Sequence, residues 1–279
     1  MRLTAFDDGG RARMAVVLGE RVEPLSSVDE FYDDVGGWCA KVPQVSASGG
    51  SLELATITQV PPVPATAKVL CVGLNYEAHA AEGDRQLPSR PNIFARWAST
   101  LVADGDSVPL PVGEPKLDYE AELVVVVGAE LHGADRRAAG AAVLGYACGN
   151  DITARGFQHN TTQWALGKNA DRSGPMGPIV TADEVPDLTP VPIVCRLNGQ
   201  EMQRSVLGKM IFKPDEILAY ASGCLTLRPG DVVYTGTPEG VGFRRSPPRF
   251  MGAGDTVEVE IGHLGVLTNR IVARTEPTP

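Results

Sequence analysis

The chain has 279 residues and a formal net charge of −9, with 43% hydrophobic and 21% charged side chains, the composition of a folded rather than a disordered chain. That acidity argues against a nucleic-acid partner, because backbone binding needs a basic surface and the basic clusters here are isolated pairs, Arg136–Arg137 and Arg244–Arg245. The length suits one large domain or one with a small appendage, and 31 glycines with 22 prolines favour turns and short strands over a helix bundle.

The N-terminal MRLTAFDDGG lacks an apolar signal core. The longest clean apolar run, Leu123 to Val127, is far short of the roughly 20 residues a membrane helix needs. A cytoplasmic protein without a membrane partner is therefore expected. Cys39, Cys71, Cys148, Cys195 and Cys224 form no C-x-x-C pair, so reduced, buried packing residues are expected rather than disulfides or a zinc ribbon.

Residues 1–65 read as a small N-terminal domain with short alternating stretches at Met14–Leu18 and Leu52–Ile57, interrupted by the Ser/Gly tract from Ser46 to Ser51. Pro61-Pro62-Val63-Pro64 is a stiff connector into a second domain, 66–279. Strands are expected at Lys68–Gly73, Leu123–Gly128, Ile193–Leu197, Asp231–Thr235, Thr256–Ile261 and Val266–Val272. Asn198-Gly199 marks a hairpin turn. Helices are expected at Tyr76–Glu82, capped by Asn75 and ended by Gly83, and at about Asp135–Val143, Thr153–Trp164 and Pro214–Ser222. Strands outnumber helices, which predicts a β-rich α+β fold with peripheral helices rather than a doubly wound sheet.

Asp118-Tyr119-Glu120-Ala121-Glu122 runs straight into Leu-Val-Val-Val-Val. Glu120 and Glu122, two apart in a strand, share a face. Two carboxylates where a strand enters the interior repel each other unless a cation compensates them. A divalent metal is one reading, with hard oxygen ligands favouring magnesium, manganese or calcium over zinc. An exposed strand start is the other. Glu258 and Glu260 repeat the spacing, but Val257, Val259 and Ile261 form their opposite face, so these acids belong in water. Asp151, between a strand-like run and a helical one, suits either a third metal ligand or a helix N-cap. Arg155 and Gln158 fall on one helix face, so the guanidinium could grip a substrate carboxylate or make a surface ion pair. His79 and Glu82, one turn apart, form either a carboxylate-oriented general base or an exposed helix pair. Lys168 lies outside any G-x-x-x-x-G-K-[ST] frame. The glycines of 236–242 precede Arg244–Pro248 rather than a helix, which suits a substrate-lining loop better than a dinucleotide site.

Together these motifs resemble the fumarylacetoacetate hydrolase family. They are Val72-Gly73-Leu74-Asn75-Tyr76 with His79 and Glu82, Asp118 to Leu123, Asn150 to Arg155 with Gln158, Gly167-Lys168-Asn169, and Leu227 to Asp231 leading into Thr235-Gly236-Thr237-Pro238. They run in family order over about 66–272. The resemblance implies a mixed β-roll core and a magnesium- or manganese-dependent site, with calcium as a third candidate ion, in a homodimer. It matches Glu120, Glu122 and Asp151 to the metal ligands, His79 and Glu82 to the water-activating pair, and Lys168 to the support of developing charge. Arg155, Gln158 and Thr237 match contacts to a small anionic 2-oxo acid. The implied activity is hydrolysis of a carbon–carbon bond in an acylpyruvate or β-diketo acid. The alternatives on the same site are decarboxylase, isomerase, hydratase or lyase chemistry on a 2-oxo dicarboxylate. Two departures stand out. Arg96 replaces the lysine of the F-x-K-P segment found in many hydrolytic members, and Ala170 stands where relatives often place an aromatic, which predicts a wider pocket beside Lys168.

Overall fold

The computed structural model describes residues 1–45, 50–82 and 86–274. Most of the Ser46–Ser51 tract and Gly83, expected to end a helix, lie outside the described residues. The fold is β-rich α+β, as the strand and turn signals predict. Its largest sheet has 11 strands, and Ala121–Val127 runs through its interior, buried at all seven positions. An apolar β-branched run has no polar face to give to water, so it needs neighbours on both edges and cover on both faces. Val143–Asn150 and Val232–Tyr234 flank it, both antiparallel to it. Val69–Gly73 then pairs parallel with Val232–Tyr234 and antiparallel with Asn92–Arg96, which makes the sheet mixed.

On the opposite side, the N-terminal strands Arg2–Asp7, Ala12–Leu18 and Arg21–Ser27 continue the same sheet, because Arg2–Asp7 pairs with Ile179–Thr181. Tyr32 donates a hydrogen bond from its hydroxyl to the Pro62 carbonyl (2.7 Å), which pins the proline-rich connector to the N-terminal helix Val28–Asp33.

A second, five-stranded sheet is built from Gln200–Val206, Pro192–Leu197, Thr256–Ile261, Gly265–Val272 and Ser107–Pro109. Its first hairpin turns at Asn198-Gly199, both with positive φ (53° and 77°), as the dipeptide predicts. Leu123, Val125 and Val127 from one sheet join Ile193, Cys195, Val257 and Val259 from the other in one apolar core. Glu258 and Glu260 point half-exposed from the other face, with Glu260 paired to Arg196 at 2.6 Å.

Helices are few and peripheral. Pro214–Ser222 follows its start signal, proline in the first turn, and Arg136–Ala141 falls within the expected 135–143 with Asp135 as N-cap. The expected helix over Thr153–Trp164 is a correction. Thr153–Ala154 is a short strand, the helix covers only Arg155–His159, and Ala165–Lys168 forms a separate turn of helix. Pairing of Leu117–Asp118 with Thr153–Ala154 holds the earlier segment extended. Cys71, Cys148 and Cys195 are buried free thiols as expected, whereas Cys39 is only half-buried and Cys224 is exposed. Among the described residues no helix is long and apolar enough to cross a membrane.

Candidate active site

Glu120 lies just before the central strand and Glu122 at its second position, so the pleat aims both side chains the same way. The antiparallel register, with Ala121 opposite Asn150, then brings Asp151 across from Glu120. The Asp151 amide donates to the Glu120 carbonyl (2.9 Å), and the Glu120 amide donates to Asn150 Oδ1 (3.0 Å). One carboxylate oxygen from each of Glu120, Glu122 and Asp151 lies within 4.8 Å of the others, and all three residues are buried. Asp151 does not cap the following helix. Both of its oxygens are engaged by cations, and the residue at the N-cap is Ala154.

Three buried cations face these acids. Lys168 Nζ donates to Glu120 Oε2 (2.7 Å) and Asp151 Oδ2 (2.5 Å). Arg155 donates from Nε to Asp118 Oδ2 (2.8 Å) and from Nη1 to Gln158 Oε1 (2.9 Å). Its Nη2 sits 2.6 Å from Glu120 Oε1 as a buried ion pair, and the residue lines the cavity. Arg96, with no exposed side-chain surface, pairs through Nε and Nη2 with Asp151 Oδ1. It also donates to Ser173 Oγ (2.7 Å) and the Ile152 carbonyl (3.1 Å).

The carboxylates respond differently to this setting. Burial opposes ionisation of Glu120, but Lys168 and Arg155 outweigh it and hold the carboxyl down at about 2. Among the described residues Glu122 accepts only the Gly236 amide (2.7 Å), and burial together with the charges of Asp151 and Glu120 pushes its carboxyl well above the usual range. Burial would depress the Lys168 ammonium, yet Asp151 and Glu120 raise it instead. Counting Asp118, four buried carboxylates face three buried cations among the described residues. A divalent cation at the triad would reverse that balance and leave the cavity positive.

Above this floor lies a cavity of about 90 Å³ walled by Phe94, Trp164 and Phe243. His79 stands at its rim, with Nδ1 3.3 Å from Glu82 Oε2, and Glu82 Oε1 accepts the Gly240 amide (2.8 Å). Thr237 also lines the cavity, and its hydroxyl oxygen accepts from Gln203 Nε2 (2.8 Å). The fold thus brings His79, Glu82, Glu120, Glu122, Asp151, Arg155, Gln158, Lys168 and Thr237 to one place; all but Glu82 line the cavity, and Glu82 backs His79.

Other expectations need correction. Asn75 does not cap the helix Glu77–Glu82. Its amide is spent on Phe212 and the Thr235 carbonyl, tying the segment after the strand Val69–Gly73 to two distant loops. Neither Arg96 nor Ala170 is among the residues that line the cavity.

Motif reading gave no role to Asp118 or Gln203. Asp118 orients Arg155 and accepts the Gly242 amide (2.7 Å). Its place in the D-Y-E-A-E run, two residues before Glu120, was the available signal. Gln203 had none, since its partners lie 34 and 82 residues away.

Comparison with known proteins bears on this geometry. The family model described as fumarylacetoacetate (FAA) hydrolase C-terminal matches residues 68–272. The chain belongs to the fumarylacetoacetate hydrolase family. It is 42% identical over 219 residues to the mitochondrial oxaloacetate tautomerase FAHD2A of Bos taurus, covering 77% of this chain and 70% of that protein. Among solved members, the 5-carboxymethyl-2-hydroxymuconate delta-isomerase of Mycobacterium smegmatis superposes with a TM-score of 0.80 at 29% identity, over 99% of this chain and 100% of that one. The maleylpyruvate hydrolase of Sphingobium sp. SYK-6, solved with manganese(II) and pyruvate, superposes with a TM-score of 0.84 at 26% identity, again over 99% and 100%. Fumarylacetoacetate hydrolase family enzymes act on 2-oxo acids, and the acidic triad here could bind a divalent metal.

Proposed function

We propose that the chain tautomerises a 2-oxo dicarboxylic acid of the oxaloacetate class, with magnesium or manganese held by Glu120, Glu122 and Asp151. The observation that carries this is the buried three-carboxylate cluster on the floor of a cavity whose other charged lining groups are mostly basic. The donor set fits such an ion. All three ligand atoms are hard oxygens, and Glu122 carries mutual repulsion that a bound cation would relieve. Bound there, the divalent ion would polarise the 2-oxo group and favour its enolate. The 42% identity to an oxaloacetate tautomerase supports this choice of reaction.

The remaining roles fall to the chain's own side chains. Arg155, fixed by Asp118 and Gln158, adds positive charge to the cavity wall, which favours a substrate carboxylate. Lys168 supplies a fixed positive charge beside Glu120 and Asp151. Hydrogen bonding of His79 Nδ1 to Glu82 leaves Nε2 to take the proton from the carbon next to the oxo group and return it to the oxygen of that group, which yields the enol. Phe94, Trp164 and Phe243 limit water around the reacting carbon.

Hydrolysis of an acylpyruvate is the second reading, favoured by the same His79–Glu82 pair, which could equally deprotonate a water at the rim. Proton NMR in deuterated water with magnesium separates the two. Accelerated enol–keto interconversion of oxaloacetate with exchange at C3 and no cleavage supports tautomerisation, and release of pyruvate from an acylpyruvate supports hydrolysis. Neither reaction with magnesium or manganese would overturn the assignment. We also propose a homodimer, as the family resemblance implies, which sedimentation velocity tests.

A further inference from the structure

Gln203 is 1% exposed and lies on Gln200–Val206, a strand of the second sheet rather than of the one that carries the triad. In regular pairing, side chains alternate between faces, yet Met202 and Gln203 are both buried. The register explains this. Cys195 pairs with Gln203 and Arg196 with Glu201, so Met202 is an extra residue, a bulge that re-aims its neighbour. The turn carrying Thr237 docks on this bulge. Gly240, at φ +94°, sits so close that a Cβ there would lie 2.4 Å from the Met202 carbonyl, and Arg245 donates to that same carbonyl (2.7 Å).

The partners of Gln203 fix its amide orientation without ambiguity. Oε1 must accept from the Ala121 amide (3.0 Å), and Nε2 must donate to the Pro238 carbonyl (2.9 Å), because neither backbone group can play the opposite part. The second Nε2 proton therefore goes to Thr237 Oγ1 (2.8 Å), and that hydroxyl must accept. Its own proton cannot point back at Nε2, which has no lone pair to offer. Among the described residues no protein acceptor is paired with it, and Thr237 faces the cavity.

We propose that Gln203 is a positioning residue: it forces Thr237 to act as a hydrogen-bond donor toward a substrate carboxylate, and it ties the Thr237 turn to the backbone between Glu120 and Glu122. The inference deepens the proposed function and rests on it, since it requires an anionic 2-oxo acid in this cavity. One buried amide thereby links the strand of the carboxylate cluster to the Thr237 donor. It also gives the cavity wall a polarity, favouring an oxygen anion over an amine or an alkyl group at Thr237.

The test is a double-mutant cycle on Gln203→Glu and Thr237→Val. Glutamate keeps the shape and the acceptor toward Ala121 but exchanges the donor for a carboxylate that captures the Thr237 proton. With oxaloacetate and saturating magnesium, each single variant should raise KM roughly 10- to 100-fold, the worth of a hydrogen bond to a charged group, while kcat stays within about threefold. The double variant should be no worse than either single one. Manganese affinity, read by electron paramagnetic resonance, should match wild type in all three. Thr237→Ser, which restores the hydroxyl, should recover most of the lost affinity.

An unchanged KM in Gln203→Glu, or multiplicative effects in the double variant, would overturn the inference while leaving the proposed function standing. A wild-type protein that neither turns over oxaloacetate nor binds pyruvate by calorimetry with manganese would overturn both. Should Gln203→Glu not fold, Gln203→Met carries the same comparison, because it also removes the donor at similar volume. The KM rise is then expected from that variant, and its absence counts against the role.

Discussion

Replacing Arg96 by methionine isolates what the buried guanidinium does for the acidic cluster. Arg96 has no exposed side-chain surface and pairs with Asp151 Oδ1, the Ile152 carbonyl, Ser173 Oγ and, at 3.4 Å, Thr100 Oγ1. Methionine matches its stem and bulk, so little of the loss should come from a cavity. What remains is Asp151, also fully buried, with one oxygen still held by Lys168 at 2.5 Å and the other stripped of its cation. Removing one partner of a buried pair typically costs about 3–5 kcal/mol. Because Lys168 stays, the low end applies, and about 3 kcal/mol in a protein of this size lowers Tm by roughly 6–12 °C.

The assay is thermal unfolding in EDTA and again with saturating manganese. The deficit should be largest in EDTA and should shrink with the ion, which supplies charge that Asp151 has lost. Arg96→Lys should fall between the two, since an ammonium keeps the charge but not the planar fork that reaches four partners. A methionine variant melting within about 2 °C of wild type in EDTA would refute the assignment of Arg96 as the anchor of Asp151.

Glu122→Gln should weaken magnesium affinity at least tenfold by calorimetry, the scale of losing a charged ligand. Glu260→Gln should leave it unchanged, because that carboxylate sits half-exposed in a pair with Arg196; equal effects would contradict the distinction between the two E-x-E strands. His79→Ala should lower kcat by roughly 10²- to 10⁴-fold with magnesium affinity intact, and an unaltered rate would remove His79 as the base. Asp118→Asn loosens Arg155 at Nε and should raise KM for oxaloacetate about tenfold more than it changes kcat; the reverse pattern would place Arg155 in the chemical step instead. Lys168→Met leaves Glu120 and Asp151 each with one cation, so the rise in Tm on adding manganese should exceed that of wild type, and a smaller rise would argue against charge compensation by Lys168.

Much of the site was legible as local pattern. Glu120 and Glu122 entering an unbroken apolar strand already carried the suggestion of a compensating cation, because burial and like-charge repulsion are properties of the strand itself. The hairpin at Asn198-Gly199, the capped helix after Asp135 and the proline-led helix at 214 are likewise set by backbone preferences within a few residues. The order of motifs along the chain carried the family. Spacing alone could not choose between capping and ligation for Asp151, since both use an acid at the same strand-to-helix junction. The antiparallel register that sets Ala121 opposite Asn150 places Asp151 beside Glu120, and Arg96, 55 residues away in the chain, holds one of its oxygens away from any capping role.

Asn75 read as a helix cap and became a tether, because Phe212 and Thr235 arrive from elsewhere and offer its amide better partners. Gln203 lay beyond reach for the same reason. Its importance comes from a bulge in one sheet that turns it toward a strand of another, and no local periodicity records a contact between sheets. Local pattern settles which residues carry charge, which strands must be buried and which family motifs are present. Which charges meet depends on the folded chain, because the cost of a buried carboxylate is settled by the cations and amides that distant segments bring to it.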